Sequence, residues 1–368
     1  MKNIKYINLS NQWIEERDDL LREIDKVLKS GEYIGGEAVD LFEKKTAQLC
    51  GVKHSIALNS GTDALIFGLA SLGIKPGDEV ITPPNSFIAS TAAIVHIGAK
   101  PIFVDVAEDQ NIDVNKIESL ITKNTKAIMP VHLTGRMAEM DKLNLISEKY
   151  NIPVIEDAAQ AIGSKYKMKP SGSWGKVACF STHPLKNLNA CGDGGFLVTD
   201  DDLIADNLRC IRNHGLISRG NSKRFGFVSR MDALQATILN YRIKKLDQVV
   251  NKRRYNASLY YKHLDQSRVF FPKKNIDLYN TYHTFVIQVE ERDKLKDSLL
   301  QFGIETAIHY PIPIHLQPAA CKLGYKKGDF PITESQSRKI LTLPVNQFLT
   351  EDEILYICEH VNKLSIII

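Results

Sequence analysis

What most constrains this chain is a set of apolar runs too uniform to leave one face in water. They are "HSIAL" (54–58), "DEVITPP" (78–84), "KPIFVDV" (100–106), "KAIMPVHL" (126–133) and "IPVIED" (152–157). Rich in Val and Ile, with little period-two alternation, they predict strands buried on both faces. Helix-length segments lie between them, among them "TDALIFGLASLG" (62–73) and "FIASTAAIVHIG" (87–98). Such segments serve as crossovers between parallel strands. The expected fold class is α/β: a large α/β/α domain with a mostly parallel, mixed sheet.

From about Arg230 to Leu264 the pattern predicts one long helix. Beyond it come the strand-like "TYHTFVIQV" and "IETAIHYP", and helices near Asp293–Phe302, Thr333–Leu341 and Thr350–Leu364. These suit a smaller α+β domain. The expected division is a large domain over 1–245 and a small C-terminal domain over 246–368, and a chain of 368 residues can bury two unequal cores.

Charge narrows the partners. Lys and Arg number 47 against 43 acidic residues, a net +4 with no dense basic block. Nucleic acid and anionic membrane are therefore not expected partners. The first residues lack the apolar core of a signal peptide, and no apolar run approaches membrane-spanning length. The six cysteines are scattered, without C-x-x-C pairs or zinc-ligand spacing. The expectation is reduced thiols, a cytoplasmic location and no metal.

Four segments fall at predicted strand ends, where an open α/β sheet binds its ligand. In "ALNSGTDAL" (57–65) a strand runs through Ser60, Gly61 and Thr62 into a helix, which suits a phosphate and equally a plain helix cap. In "PVIEDAAQAIG" (153–163) Asp157 ends a central strand. A carboxylate buried there needs a cationic or hydrogen-bonding partner, such as a protonated pyridine nitrogen, unless it caps a helix starting at Ala158. Gln160 is placed to reach the same ligand. In "VACFSTHPLKNLNACGDGG" (177–195) Ser181 ends a strand, and Lys186 stands between that strand and a Gly/Asp turn. An amine there could form a Schiff base, although most loop lysines are simply solvated. In "NSFIAS" (85–90) Phe87 could stack on a flat ring or sit in the core. A phosphate cradle, a strand-end Asp and a reactive Lys together are what pyridoxal 5'-phosphate requires.

"NSGTDAL", "GDEVITPP", "PIFVDV", "IMPVHLTG", "VIEDAAQAIG", "HPLKNLNACGDGG", "IRNHG", "SRMDALQATIL" and "IHYPIPIHLQPA" occur in that order between about Gly31 and Leu364. Together they resemble the DegT/DnrJ/EryC1/StrS aminotransferases. The resemblance implies a pyridoxal-phosphate enzyme of fold type I that aminates a nucleotide-linked keto sugar. By position, Lys186 is then the lysine that carries the cofactor and Asp157 the partner of its ring nitrogen. Gln160 lies beside the ring, with Gly61, Thr62 and Ser181 around the phosphate; the residue pattern itself adds Ser60 at the phosphate and Phe87 on the ring. The resemblance also implies a homodimer whose sites are completed by the neighbouring chain. Many members read G-x-N-S-R where this chain has Gly226-Phe227-Val228-Ser229-Arg230. The family Asn reaches across the dimer to the phosphate. With Val228 there, Ser229 or a backbone N–H takes its place, or the cofactor is held less tightly.

The implied reaction moves an amino group from L-glutamate to a keto carbon of a nucleotide-linked keto-deoxyhexose. "HYPIPIHLQPA" and "LGYKKGDFP" resemble 3-amino-deoxyhexose members, which favours C-3 of a dTDP sugar, with C-4 second and a UDP sugar or cyclitol further options. Substrate contacts are expected from Tyr33 in "GEYIGG", from His309 and Tyr310, and from Arg219 in "HGLISRGNSKR". The rival readings are a sugar dehydratase, whose members carry His in place of Lys186, and a regulatory protein on the same scaffold, whose members tend to lose the Lys or the Asp. Both Lys186 and Asp157 are present.

Overall fold

A computed structural model of the chain describes residues 2–366. Seven strands form the main sheet: β1 (His54–Leu58), β2 (Glu79–Thr82), β3 (Lys100–Phe103), β4 (Thr125–Ile128), β5 (Ile155–Asp157), β6 (Val177–Ser181) and β7 (Gly195–Thr199). β2 runs parallel to β3 and β4, and β5 runs parallel to β6. β7 is antiparallel to both β6 and β1. Parallel bridges Ile128↔Val154 and Val131↔Asp157 join the two groups. The order is β3-β2-β4-β5-β6-β7-β1, which puts the strand ending in Asp157 at the middle. The sheet is mostly parallel with one reversed strand, as expected.

Both faces of these strands are dry. Ile56, Cys179 and Leu197 pack with Leu65, Leu69 and Ile94 from the helices Gly61–Ser71 and Ile88–His96. Ala178, Phe180, Phe196 and Val198 turn the other way onto Val39, Phe42, Ala236 and Leu239 from the helices Glu37–Cys50 and Ala233–Arg242. Burial on two sides is why the runs lack alternation.

The carboxyl edge of the sheet is crowded. A Cβ at Gly195 would lie 2.5 Å from the Gly61 nitrogen, and one at Gly61 would lie 2.7 Å from Ser181 Cβ. Glycine at both positions lets three chain segments meet there.

Three expected elements differ. The helix expected over Arg230–Leu264 is two helices, Ala233–Arg242 and Leu246–His263, separated by a 3-10 turn at Ile243–Lys245. Before the turn Leu239 faces the sheet core, and after it Ala257 and Tyr260 face the C-terminal core, so the segment bends between two cores. "IETAIHYP" forms no strand, only the bridges Ile4↔Ile304 and Ala307↔Thr342. The helix expected to reach Leu341 ends at Lys339, because Ile340–Leu343 is fully buried and pairs antiparallel with Phe285–Gln288.

The C-terminal core is built from Tyr260, Phe285, Leu299, Leu341, Ile357 and their neighbours, and it takes in Ile4 from the first residues. Ile4 N–H donates to the Gly303 carbonyl at 2.7 Å, and Glu305 N–H donates back to the Ile4 carbonyl at 3.0 Å. The helix Leu9–Ser30 follows and lies against Ala233–Arg242.

Candidate active site

At the carboxyl edge the chain leaves a cavity of about 430 Å³. Ser60, Gly61, Thr62, Phe87, Asp157, Gln160, Ser181, Lys186, His309 and Tyr310 all line it. A larger open groove, about 780 Å³, lies elsewhere around Ser71, Trp174 and Lys176; its Lys176 side chain is tied to Asp201 at 2.7 Å. The chemistry-bearing residues converge on the smaller cavity.

Asp157 is nearly fully buried. Its Oδ2 accepts from Ser90 Oγ at 2.6 Å and its Oδ1 from the Ala159 N–H at 3.2 Å. A turn, with no helix, follows it, so the helix-cap alternative does not apply. Burial raises its pKa above the usual carboxylate value, against the Ser90 and Ala159 hydrogen bonds and the Lys186 charge. Lys186 is shifted the other way, down to about 8, because burial disfavours its charge more than Asp157 restores it. Gln160 is held by accepting from the Thr134 N–H at 2.7 Å and donating to the Tyr310 hydroxyl at 3.3 Å.

Three further ionisable groups around the cavity, His309, His283 and Tyr310, are pushed toward neutrality. Burial and the Lys186 charge lower His309 to about 4. Burial, then Lys186 and Arg253, hold His283 well below the ordinary imidazole value. Burial raises the Tyr310 phenol to about 12. Around the Lys186 amine and the buried Asp157 carboxylate these three side chains are thus held uncharged, and a second carboxylate, Asp193, also lines the cavity.

Ser60 is the N-cap of the helix Gly61–Ser71, its Oγ accepting from the Asp63 N–H at 3.1 Å. The capping reading therefore holds, and the same geometry leaves the first N–H groups of the helix facing the cavity without intrahelical acceptors. Phe87 is not in the core: it is 55% exposed at the cavity rim, with its ring 5.8 Å from that of Tyr310. The residues suit pyridoxal phosphate. The Gly61–Ser71 helix turns its first N–H groups to the cavity, which suits a phosphate, Asp157 has no cationic hydrogen-bond partner among the described residues, and Lys186 supplies a neutralisable amine.

Two candidates do not reach the cavity within one chain. Tyr33 is half exposed, its hydroxyl 3.4 Å from the Leu28 carbonyl. Arg219 lies at the tip of an exposed hairpin, Leu216–Ser218 with Asn221–Ser222. Val228 is 54% exposed and bridges Asn213. Ser229 cannot stand in for the family Asn: it is fully buried, its hydroxyl donates to Asn59 Oδ1 at 3.2 Å, and its N–H is bound to the Arg212 carbonyl.

Sequence reasoning missed Ser90, Tyr6, His183 and His283, which also line the cavity. Ser90 sits one helical turn past Phe87, a spacing that points both toward one place. Tyr6 and His283 arrive from remote segments and carry no local signal.

The profile of the DegT/DnrJ/EryC1/StrS aminotransferase family matches residues 14–362. A pleiotropic regulatory protein of Geobacillus stearothermophilus is 39% identical, covering 98% of each chain. A dTDP-3-amino-3,6-dideoxy-alpha-D-galactopyranose transaminase of Aneurinibacillus thermoaerophilus is also 39% identical, covering 98% of this chain and 99% of that one. A UDP-2-acetamido-2-deoxy-3-oxo-D-glucuronate aminotransferase of Pseudomonas aeruginosa is 37% identical over 96% and 98%. Among solved structures, S. venezuelae DesV in complex with a ketimine intermediate matches with a TM-score of 0.96 at 36% identity, over 99% and 98% of the two chains. The chain belongs to the DegT/DnrJ/EryC1/StrS family of sugar aminotransferases, enzymes that work with pyridoxal phosphate.

Proposed function

We propose that this chain transfers an amino group from L-glutamate to a dTDP-linked keto-deoxyhexose, with C-3 the first choice of carbon and C-4 the second. The observation that carries the reading is Lys186, an amine lowered to about 8, sharing one cavity with the buried Asp157 carboxylate and the Ser60–Thr62 helix start. Pyridoxal phosphate bound there supplies an aldehyde for amines and a ring that withdraws electrons. Asp157 holds the proton of the ring nitrogen. Ser60, Gly61, Thr62 and Ser181 would take the phosphate, and Gln160 and Phe87 would flank the ring. Lys186 Nζ, neutral part of the time near pH 8, would take the proton from Cα of the donor and, in the second half-reaction, would deliver a proton to the sugar carbon that receives the amine. His309 and Tyr310 face the sugar, uncharged.

The dTDP sugar and C-3 are supported by the transaminase relative of A. thermoaerophilus and by the "HYPIPIHLQPA" stretch. Tyr33 and Arg219 are assigned to the site of a neighbouring protomer. The support is a run of exposed apolar side chains that single-chain packing does not explain: Ile34, Ile217, Phe225, Phe227 and Val228. The test is an amination assay over dTDP- and UDP-linked 3-keto and 4-keto sugars with L-glutamate, the product amine located by NMR. Turnover of a UDP sugar alone, or amination at C-4 alone, would overturn the first choice.

The regulatory name of one close relative favours a second reading, in which the chain holds the cofactor without turnover. Cofactor bound at Lys186 with no amination anywhere in the panel would select it.

A further inference from the structure

Lys186 sits on a loop that its own neighbours close. Ala190 N–H donates to the Thr182 carbonyl at 2.7 Å, Lys186 N–H donates to the His183 carbonyl at 2.8 Å, and Asn189 Nδ2 donates to the Pro184 carbonyl at 2.8 Å. Asn189 is 5% exposed, and its remaining amide valences go to a distant residue. Its Nδ2 donates to Gln12 Oε1 at 3.0 Å, and its Oδ1 accepts from Gln12 Nε2 at 3.0 Å. That is a two-bond amide pair between the lysine loop and the helix Leu9–Ser30.

A buried ion pair backs it. Glu16, one turn beyond Gln12, accepts from Arg242 Nε at 2.9 Å, both side chains 9% exposed. The same Arg242 donates to the Asn189 carbonyl at 2.7 Å and to the Ala190 carbonyl at 3.3 Å. The inward face of the helix is thus Gln12, Glu16 and Leu20, two polar residues out of three. Burying polar groups costs free energy unless every partner is supplied. Here the partners come from the lysine loop, from Arg242 and from within the helix, where Gln12 Nε2 also donates to Glu16 Oε2 at 3.3 Å.

We propose that Gln12, Glu16 and Arg242 are positioning residues for Lys186: the N-terminal helix works as a clamp that presents the loop, through Asn189, to the cavity. The inference rests on Lys186 being the reacting amine. Gln12→Met keeps the packed volume and removes both amide bonds, and Asn189→Leu does the same from the loop side. The reciprocal exchange Gln12→Asn with Asn189→Gln keeps an amide pair of the same total length.

The readout is the rate at which pyridoxal phosphate, added to cofactor-free protein and trapped with borohydride, labels Lys186. It is scored by peptide mass against the exposed Lys327 in the same sample, with a thermal melt for each variant. Two buried hydrogen bonds make labelling of Lys186 roughly tenfold slower in each single variant, with Lys327 unchanged. The double exchange returns the rate to within about twofold of wild type. Labelling at the wild-type rate in Gln12→Met, even with a lower melting point, would show that the helix only stabilises the fold and would overturn the clamp. Should Asn189→Leu fail to fold, Gln12→Met and the exchange still decide the matter. Label on a lysine other than Lys186 in the wild type would instead refute the site reading itself.

Discussion

Replacing Asp157 by Asn separates charge from shape. The Asn amide can still accept from the Ala159 N–H, and the Ser90 hydroxyl can turn to accept from the new NH₂. The folded chain keeps its bonds and loses one negative charge. Without cofactor that charge is unfavourable, since burial holds the Asp157 pKa above the ordinary carboxylate value. The folded state therefore binds this proton more tightly than the unfolded one, and Asp157 contributes a stability penalty that grows as pH rises through that window. Removing it is expected to stabilise the cofactor-free protein at neutral pH by about 1–3 kcal/mol, the usual cost of a poorly compensated buried polar group. At this chain length that is a melting point higher by roughly 1–4 °C. With cofactor the sign reverses. A hydrogen bond to a charged group contributes about 1.5–3 kcal/mol, so the variant should bind pyridoxal phosphate roughly ten- to a hundredfold more weakly. The half-reaction with L-glutamate should fall further, by several orders of magnitude, because the ring nitrogen no longer keeps its proton. Thermal melts with and without cofactor, and single-turnover absorbance after rapid mixing, read the two effects separately. A half-reaction slowed by less than about tenfold, or about 1.4 kcal/mol, would refute the assignment of Asp157 to the ring.

Three further outcomes follow from the geometry. Gly61→Ala places a Cβ 2.7 Å from Ser181 Cβ, so the variant should lose about 1–3 kcal/mol in denaturant titration and should bind cofactor more weakly; unchanged affinity would mean that the phosphate sits elsewhere. Val228→Asn should tighten cofactor binding by about ten- to a hundredfold in cofactor-stripped protein, since Ser229 is engaged in its own chain; an unchanged Kd would show that a backbone N–H or water fills the place. Glu156 and His132 form a fully buried pair 3.0 Å apart, and Glu156 also accepts from the Gly172, Trp174 and Gly175 N–H groups. Burial alone would raise the Glu156 pKa, yet these partners together lower it, so its stabilisation is present at neutral pH and is lost as pH falls below the ordinary carboxylate range. Glu156→Gln sets an amide NH₂ against these N–H donors and should cost about 1–3 kcal/mol at neutral pH, with the gap from wild type narrowing in acid; a constant gap would contradict an ionised Glu156.

Six strands of the main sheet were legible because they are dry on both faces, which leaves an unmistakable apolar run; the reversed seventh, Gly195–Thr199, follows a Gly/Asp turn and was not read as a strand. The helix Leu9–Ser30 was not, because the residues it buries are mostly polar and periodicity reads only apolar stripes. The break at Ile243–Lys245 carries neither Gly nor Pro; it follows from where the two cores lie. At the site, Ser60, Asp157, Ser181 and Lys186 stand at strand or helix ends, where topology alone brings them together. Tyr6 and His283 depend on long-range chain crossings, and no window of sequence contains that information.

The stitch between Ile4 and the segment Gly303–Glu305 has a consequence for how the molecule is made. During synthesis at about 5–20 residues per second, the partner of Ile4 leaves the ribosome roughly 15–60 s after Ile4 itself. Until then Tyr6, which lines the cavity, lacks its contacts with Glu305, His309 and Asn346, although every strand of the main sheet has already emerged. A nascent chain can therefore assemble the sheet and the lysine loop while one wall of the cavity is still open. Stalling translation before residue 303 should yield chains with a protease-resistant sheet and a protease-sensitive start, a vectorial order that an average of contacts over the finished fold would not disclose.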